Sequence, residues 1–139
     1  MTGPPRLSKD RVQEYAQRFA TTRISVLGDI MLDRYFWGDV DRISPEAPVP
    51  IVRVSRRSAR LGGAANVAAN LRALGVDVKI TGVVGDDREA GEVRRMVADL
   101  GINGDGLIET PGRETTEKVR IIARNQQVVR ADFEAEDGL

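Results

Sequence analysis

Leu61-Gly62-Gly63-Ala64-Ala65-Asn66-Val67-Ala68, followed by Gly75 and Gly85, is the stretch on which the fold of this chain turns. Two adjacent glycines carry no Cβ, so the backbone there can pass close to a ligand. Asn66, at the start of an apolar helical pattern, offers donors and acceptors that suit a polyol better than a metal or a nucleic acid. The plain alternative is a tight strand-to-helix turn with Asn66 bonding local backbone. The G-x-G-x-x-G spacing of a dinucleotide fingerprint is absent.

Outward from that stretch, Ala64 to Leu74 is a helix by spacing, with Val67, Leu71 and Leu74 on one face and Gly75 at its end. Val78, Ile80, Val83 and Val84 continue as a strand. Gly85-Asp86-Asp87 then turns into a second helix with an apolar stripe of Ala90, Val93, Val97 and Leu100, ended by Gly101. Upstream, Ile24, Val26 and Leu27 predict a short buried strand ending at Gly28-Asp29. Strands and helices alternating through short loops predict a parallel α/β sheet flanked by helices. Leu107 and Ile108 supply another short strand, and residues 8 to 20 a helix capped by Ser8, with Val12, Tyr15, Ala16 and Phe19 on one face. From Met31 to Val54 the chain reads as extended pieces broken by Pro45, Pro48 and Pro50. That density excludes a helix and a central strand but permits edge strands. Thr116 to Phe133 reads as a hairpin turning near Asn125-Gln126-Gln127.

The 139 residues hold 21 basic and 21 acidic side chains, so no net field steers the chain toward nucleic acid or anionic lipid. Cysteine and histidine are both missing, which excludes disulfides, thiol nucleophiles, Cys/His zinc sites and a Ser-His-Asp triad. No run reaches the ~20 apolar residues of a membrane span, and no signal-peptide core is present. The expectation is a soluble cytoplasmic protein.

Gly28-Asp29-Ile30-Met31-Leu32-Asp33 puts two carboxylates just past the carboxyl end of the first strand, the edge where open α/β sheets bind ligands. Asp29 and Asp33 would accept hydrogen bonds from vicinal hydroxyls; otherwise Asp29 caps a turn and Asp33 is merely solvated. On the hairpin, Lys118, Arg120 and Arg124 share one parity and Val119, Ile121 and Ala123 the other, giving one cationic and one apolar face. A cationic strand facing a cleft suits a phosphate, and a solvated face is the bland reading. The adjacent aromatics Phe36 and Trp37 would cover a ligand or a partner, or pack in the core.

Together these residues resemble the ribokinase-like (PfkB) family of carbohydrate kinases. GGAANVA with Gly75 and Gly85 matches that family's N-terminal signature without a gap, and the likeness runs from about Thr22 to Glu134. Within the family, GDIMLDRYFWG, RISPEAPVPIV and RNQQVVRADFE look like the kinase domain of the heptose 7-phosphate kinases, some of which carry an adenylyltransferase domain. The resemblance implies a Rossmann-like core with a small β lid near 35–54 and 115–132. On it, residues 1–21 form a helical extension and 22–139 the N-terminal half of a kinase domain. It also implies transfer of the ATP γ-phosphoryl group, with Mg²⁺, to the anomeric hydroxyl of D-glycero-D-manno-heptose 7-phosphate, for ADP-heptose and lipopolysaccharide synthesis. Carried over by position, Asp29 and Asp33 bind sugar hydroxyls and Gly62, Gly63 and Asn66 form the floor beneath the sugar. Arg34, Lys118, Arg120 and Arg124 are the candidates for the 7-phosphate. Lid strands that pair between subunits imply a homodimer.

The family's Gly-Ala-Gly-Asp loop supplies a helix N-terminus and a general base, and no such tetrapeptide occurs here. The nearest run, Asn103-Gly104-Asp105-Gly106, lies in a predicted loop, and the family's Asn-x-x-Glu element is also absent. The expectation is therefore an N-terminal part of a sugar kinase with no catalytic residue and no metal ligand of its own, binding ATP and Mg²⁺ poorly and inactive alone. Its unpaired sheet edge and apolar faces would promote aggregation in isolation. The competing readings are a catalytically dead sugar-phosphate-binding or dimerisation module and a fragment of another PfkB sugar kinase.

Overall fold

The computed structural model describes residues 8–135; residues 1–7 of the expected extension and 136–139 of the expected kinase half lie outside them. The element order is α1(Lys9–Phe19), β1(Arg23–Leu27), β2(Ile30–Ile43), β3(Pro50–Gly62), α2(Gly63–Ala73), β4(Asp77–Gly85), α3(Arg88–Asp99), β5(Asn103–Thr110), β6(Thr116–Ala123) and β7(Gln126–Phe133). They form a parallel sheet in the order β1-β4-β5 and a second, mixed sheet in the order β3-β2-β6-β7.

The parallel sheet follows from a strand–helix–strand unit. β4 pairs in parallel with β5 through the α3 crossover, and with β1 on its other side. β4 buries Val78, Ile80 and Val84 while Lys79 and Thr81 alternate outward. That period of two marks a sheet with one covered face. Both α2 and α3 pack on the covered side, contributing Ala65, Ala68, Ala90, Val93 and Val97 to one cluster with Ile30, Leu32 and Leu61. β2 and β3 are thus rooted in the core at one end and extend beyond it at the other.

Four expectations are corrected. β1 is not buried: it forms one edge of the sheet and leaves Leu27 79% exposed. On α2, Val67 and Leu74 face outward while Ala65 and Ala68 face in, because a helix lying this close to the sheet admits small side chains where it touches. The prolines do not bar a central strand: β2 lies between β3 and β6, because Pro45 and Pro48 fall in the connecting loop and Pro50 opens the edge strand β3. Asn103 to Gly106 is the start of β5 rather than a loop.

Asp87 joins the end of β4 to both α3 and the approach to β6. It accepts the Ala90 N–H at 2.7 Å, and from Thr115 both the N–H and the hydroxyl, each at 2.7 Å. The Thr115 oxygen in turn accepts the Gly85 N–H at 2.8 Å. Burial alone would raise the Asp87 pKa. The Thr115 amide, the Ala90 amide and the Thr115 hydroxyl outweigh it and hold the carboxyl below its ordinary value. This stabilisation is complete above the unfolded carboxyl's pKa of about 4 and is lost as pH falls through the lower folded value. Asp87→Ala should cost about 2 kcal/mol at neutral pH, from the cap and the loop bonds together, and should flatten the acid limb of the stability profile. Urea unfolding at neutral pH and in acid measures both.

Candidate active site

The site grows from the point where the chain leaves the parallel sheet for the mixed one. After β1, Gly28 and Asp29 turn into β2, and Asp29 O accepts the N–H of Ala64 in the first turn of α2 at 2.9 Å. The diglycine makes this junction possible. Gly63 has φ +53°, and a Cβ there would lie 2.4 Å from the Asp29 carbonyl oxygen. A Cβ on Gly62 would lie 2.7 Å from Met31 Cγ and 2.9 Å from Asp33 Oδ2. The two glycines therefore let α2 and β3 close onto the carboxylate-bearing turn.

In the mixed sheet, Asp33 is directly opposite Arg60 on β3 and Lys118 on β6. Arg120 donates to Asp33 Oδ1 at 2.6 Å, both side chains being 19% exposed. Lys118 donates to Asp132 at 2.9 Å and to Glu134 at 3.3 Å. The Asp132 contact is the chief reason its ammonium is held above the ordinary lysine value. The cationic face expected of this hairpin is thus a mixed one.

Beside this cluster lies a cavity of about 640 Å³, bounded by Gly28, Asp29, Thr81, Gly82, Arg113 and Lys118 among others. It opens where β1 ends and the mixed sheet begins, so Asp29 and Lys118 face a space large enough for a small phosphorylated sugar.

Not every expected residue joins. Arg34 projects from the opposite face of β2, where it pairs with Glu117, with Glu92 at 3.1 Å and with Glu89 at 3.6 Å. Its charge is opposed by three carboxylates, two of them from α3, so it ties the sheet to that helix. Strand alternation separates it from Asp33. Arg124 is not a strand residue: Arg124 and Asn125, at φ 48° and 66°, form the two-residue turn of the hairpin, and Arg124 donates to Val40 O at 3.2 Å. Asn66 is exposed on α2 and bonded to Asn70, outside the cavity lining.

Sequence reasoning missed an aromatic and arginine ladder on the face that bears Asp33. Phe36 and Trp37 do not act as a pair, since alternation sends them to opposite faces. Trp37 stacks instead on Tyr35, with centroids 5.4 Å apart and planes inclined by 16°. Arg56 covers Trp37 at 3.7 Å, while Arg60 and Arg120 approach Tyr35 at 5.8 and 5.3 Å. The signal lay in the shared parity of residues 33, 35 and 37 with 56 and 60, legible only once the β2–β3 register is known.

The pattern of the pfkB family carbohydrate kinases matches residues 21–137. The chain is 55% identical over 119 residues to D-beta-D-heptose 7-phosphate kinase of Bordetella bronchiseptica, covering 86% of this chain and 38% of that protein. It is 43% identical over 133 residues to bifunctional protein HldE of Citrifermentans bemidjiense, covering 96% of this chain and 27% of the relative. The chain therefore spans well under half the length of these relatives. Among solved structures, a carbohydrate kinase from Agrobacterium tumefaciens superposes with a TM-score of 0.61 at 25% identity, over 81% of this chain and 35% of that one. Arabidopsis thaliana ribokinase, complexed with ribose and ATP, gives 0.61 at 16% identity, over 82% and 35%. The α/β architecture is thus ribokinase-like, and this chain belongs to the pfkB family of carbohydrate kinases.

Proposed function

We propose that this chain is the sugar-binding part of an ATP-dependent kinase acting on the anomeric hydroxyl of D-glycero-D-manno-heptose 7-phosphate, in the cytoplasmic synthesis of ADP-heptose. The observation that carries the reading is Asp33, seated against Gly62 and held by Arg120 beside a cavity that Asp29 and Lys118 line. Carboxylates fixed by charged donors accept hydroxyls of a polyol without reorganising. The 55% identity to a heptose 7-phosphate kinase supports this sugar over a pentose or a nucleoside. No helix among the described residues is long and apolar enough to cross a membrane, which agrees with a cytoplasmic role.

Phosphoryl transfer needs ATP and Mg²⁺, which in this reading are held by other parts of the kinase domain. No group of three His, Cys, Asp or Glu side chains is placed to hold a metal among the described residues. One first-turn N–H of each helix has an acceptor within the chain, that of Ala64 in Asp29 O and that of Ala90 in Asp87. In this reading Asp29 and Asp33 orient the hydroxyls, and the base that deprotonates the anomeric oxygen comes from outside the 139 residues. β3 and β7 are the edges of the mixed sheet, which supports pairing of lid strands between two copies.

Calorimetry of the 139-residue chain with heptose 7-phosphate, without ATP, should give saturable binding. Incubation with ATP·Mg²⁺ should give no bisphosphate. Absence of binding would end the proposal, and turnover would end its claim that the base is supplied from elsewhere.

A further inference from the structure

The ladder on the mixed sheet assigns a role that rests on the reading just given. Asp33 faces cations on both neighbouring strands, Arg60 across β3 and Lys118 across β6, with Arg120 one step along. Two of those cations are balanced: Lys118 by Asp132 and Glu134, and Arg120 by Asp33 itself. Arg60 is different. It is exposed, and among the described residues no carboxylate lies within ion-pair distance; its guanidinium lies 5.8 Å from the centroid of the Tyr35 ring. Arg120 approaches the same ring at 5.3 Å. Tyr35 therefore stands between two guanidiniums, one from each neighbouring strand, beside a carboxylate already suited to hydroxyls. One positive charge is left over, presented to solvent on a planar donor fork.

A phosphate monoester carries up to two negative charges and matches the donor geometry of guanidinium groups, which a lysine ammonium does not. We propose that Arg60 and Arg120 seat the phosphomonoester of the substrate above Tyr35, while Asp33 accepts a hydroxyl of the same molecule. Specificity for a phosphorylated over an unphosphorylated polyol then resides in Arg60. Arg34, which the resemblance brought forward, and Arg124, which strand parity brought forward, are engaged elsewhere.

The test is calorimetry on the full chain with two ligands, heptose 7-phosphate and the same heptose without its phosphate. Four proteins are compared: the unsubstituted chain, Arg60→Gln, Arg60→Lys and Arg57→Gln. Arg57 is the control, since it lies on the other face of β3, against Phe36. Arg60→Gln should weaken the phosphorylated sugar about 10- to 100-fold, the range for losing one charge-assisted contact, and change the unphosphorylated sugar less than about twofold. Arg60→Lys should recover part of that loss, and Arg57→Gln should match the unsubstituted chain with both ligands. Equal loss of both sugars in Arg60→Gln, or no loss of either, overturns the assignment and leaves the proposed function standing. Failure of the unsubstituted chain to bind either sugar overturns both. Melting curves of each variant show that the comparison is among folded proteins.

Discussion

Gly63→Ala should lower the thermal midpoint by roughly 6–15 °C. Two costs combine at this position. An L-residue held at φ +53° costs about 1–2 kcal/mol, and the new Cβ would lie 2.4 Å from the Asp29 carbonyl oxygen. That oxygen already accepts the Ala64 N–H at 2.9 Å, so it cannot withdraw without opening the junction between β2 and α2. Forcing a backbone shift in a packed region adds about 1–3 kcal/mol. For a chain of this size each kcal/mol moves the midpoint by about 3 °C. Gly75→Ala is the matched comparison: φ is +90°, yet a Cβ there meets nothing within 4 Å. It should therefore pay only the conformational part. Equal midpoints for the two variants would show that the close approach of Asp29 to α2 carries no energy.

Asp33→Asn should weaken heptose 7-phosphate binding by about 30-fold or more while moving the thermal midpoint by less than about 3 °C. The binding loss reflects removal of a charged acceptor from a seat where it is already oriented, about 2–5 kcal/mol in comparable cases. The stability change is small because the asparagine amide oxygen takes the place of the carboxylate oxygen that accepts from Arg120, so no buried donor is left unpaired. Calorimetry and melting of the same sample separate the effects. A midpoint that collapses in step with affinity would make Asp33 a structural residue of the sheet rather than a ligand of the sugar.

The pattern of agreement and correction between sequence and structure has a common physical source. Helices α2 and α3 and strand β4 were legible because their apolar periodicity and closing glycines are properties of neighbouring residues. The junction at Gly62-Gly63 was legible as a special place for the same reason, although what approached those glycines was not. Its occupant was Asp29, Met31 and Asp33 of the same chain. The exposed Val67 and the buried Ala65 and Ala68 of α2 show where local reading fails. Hydrophobicity alone favoured the larger side chain, whereas a short helix-to-sheet distance selects the smaller one.

By itself, the sequence determined the alternation of strands and helices, the charge balance, the absence of thiol and imidazole chemistry, and the family. The first three follow from composition or from spacing along one segment, and the family from the resemblance of its motifs. Only the tertiary structure decided which arginines lie beside Asp33. Arg34 and Asp33 are adjacent in sequence yet face opposite ways, and Arg60 stands opposite Asp33 only through the β2–β3 register. The same register, pairing residues far apart in the chain, stacked Tyr35 on Trp37 and left Arg60 with its charge unopposed among the described residues. A strand's alternation divides its side chains between two faces, but only the neighbouring strands and helices determine what each face meets.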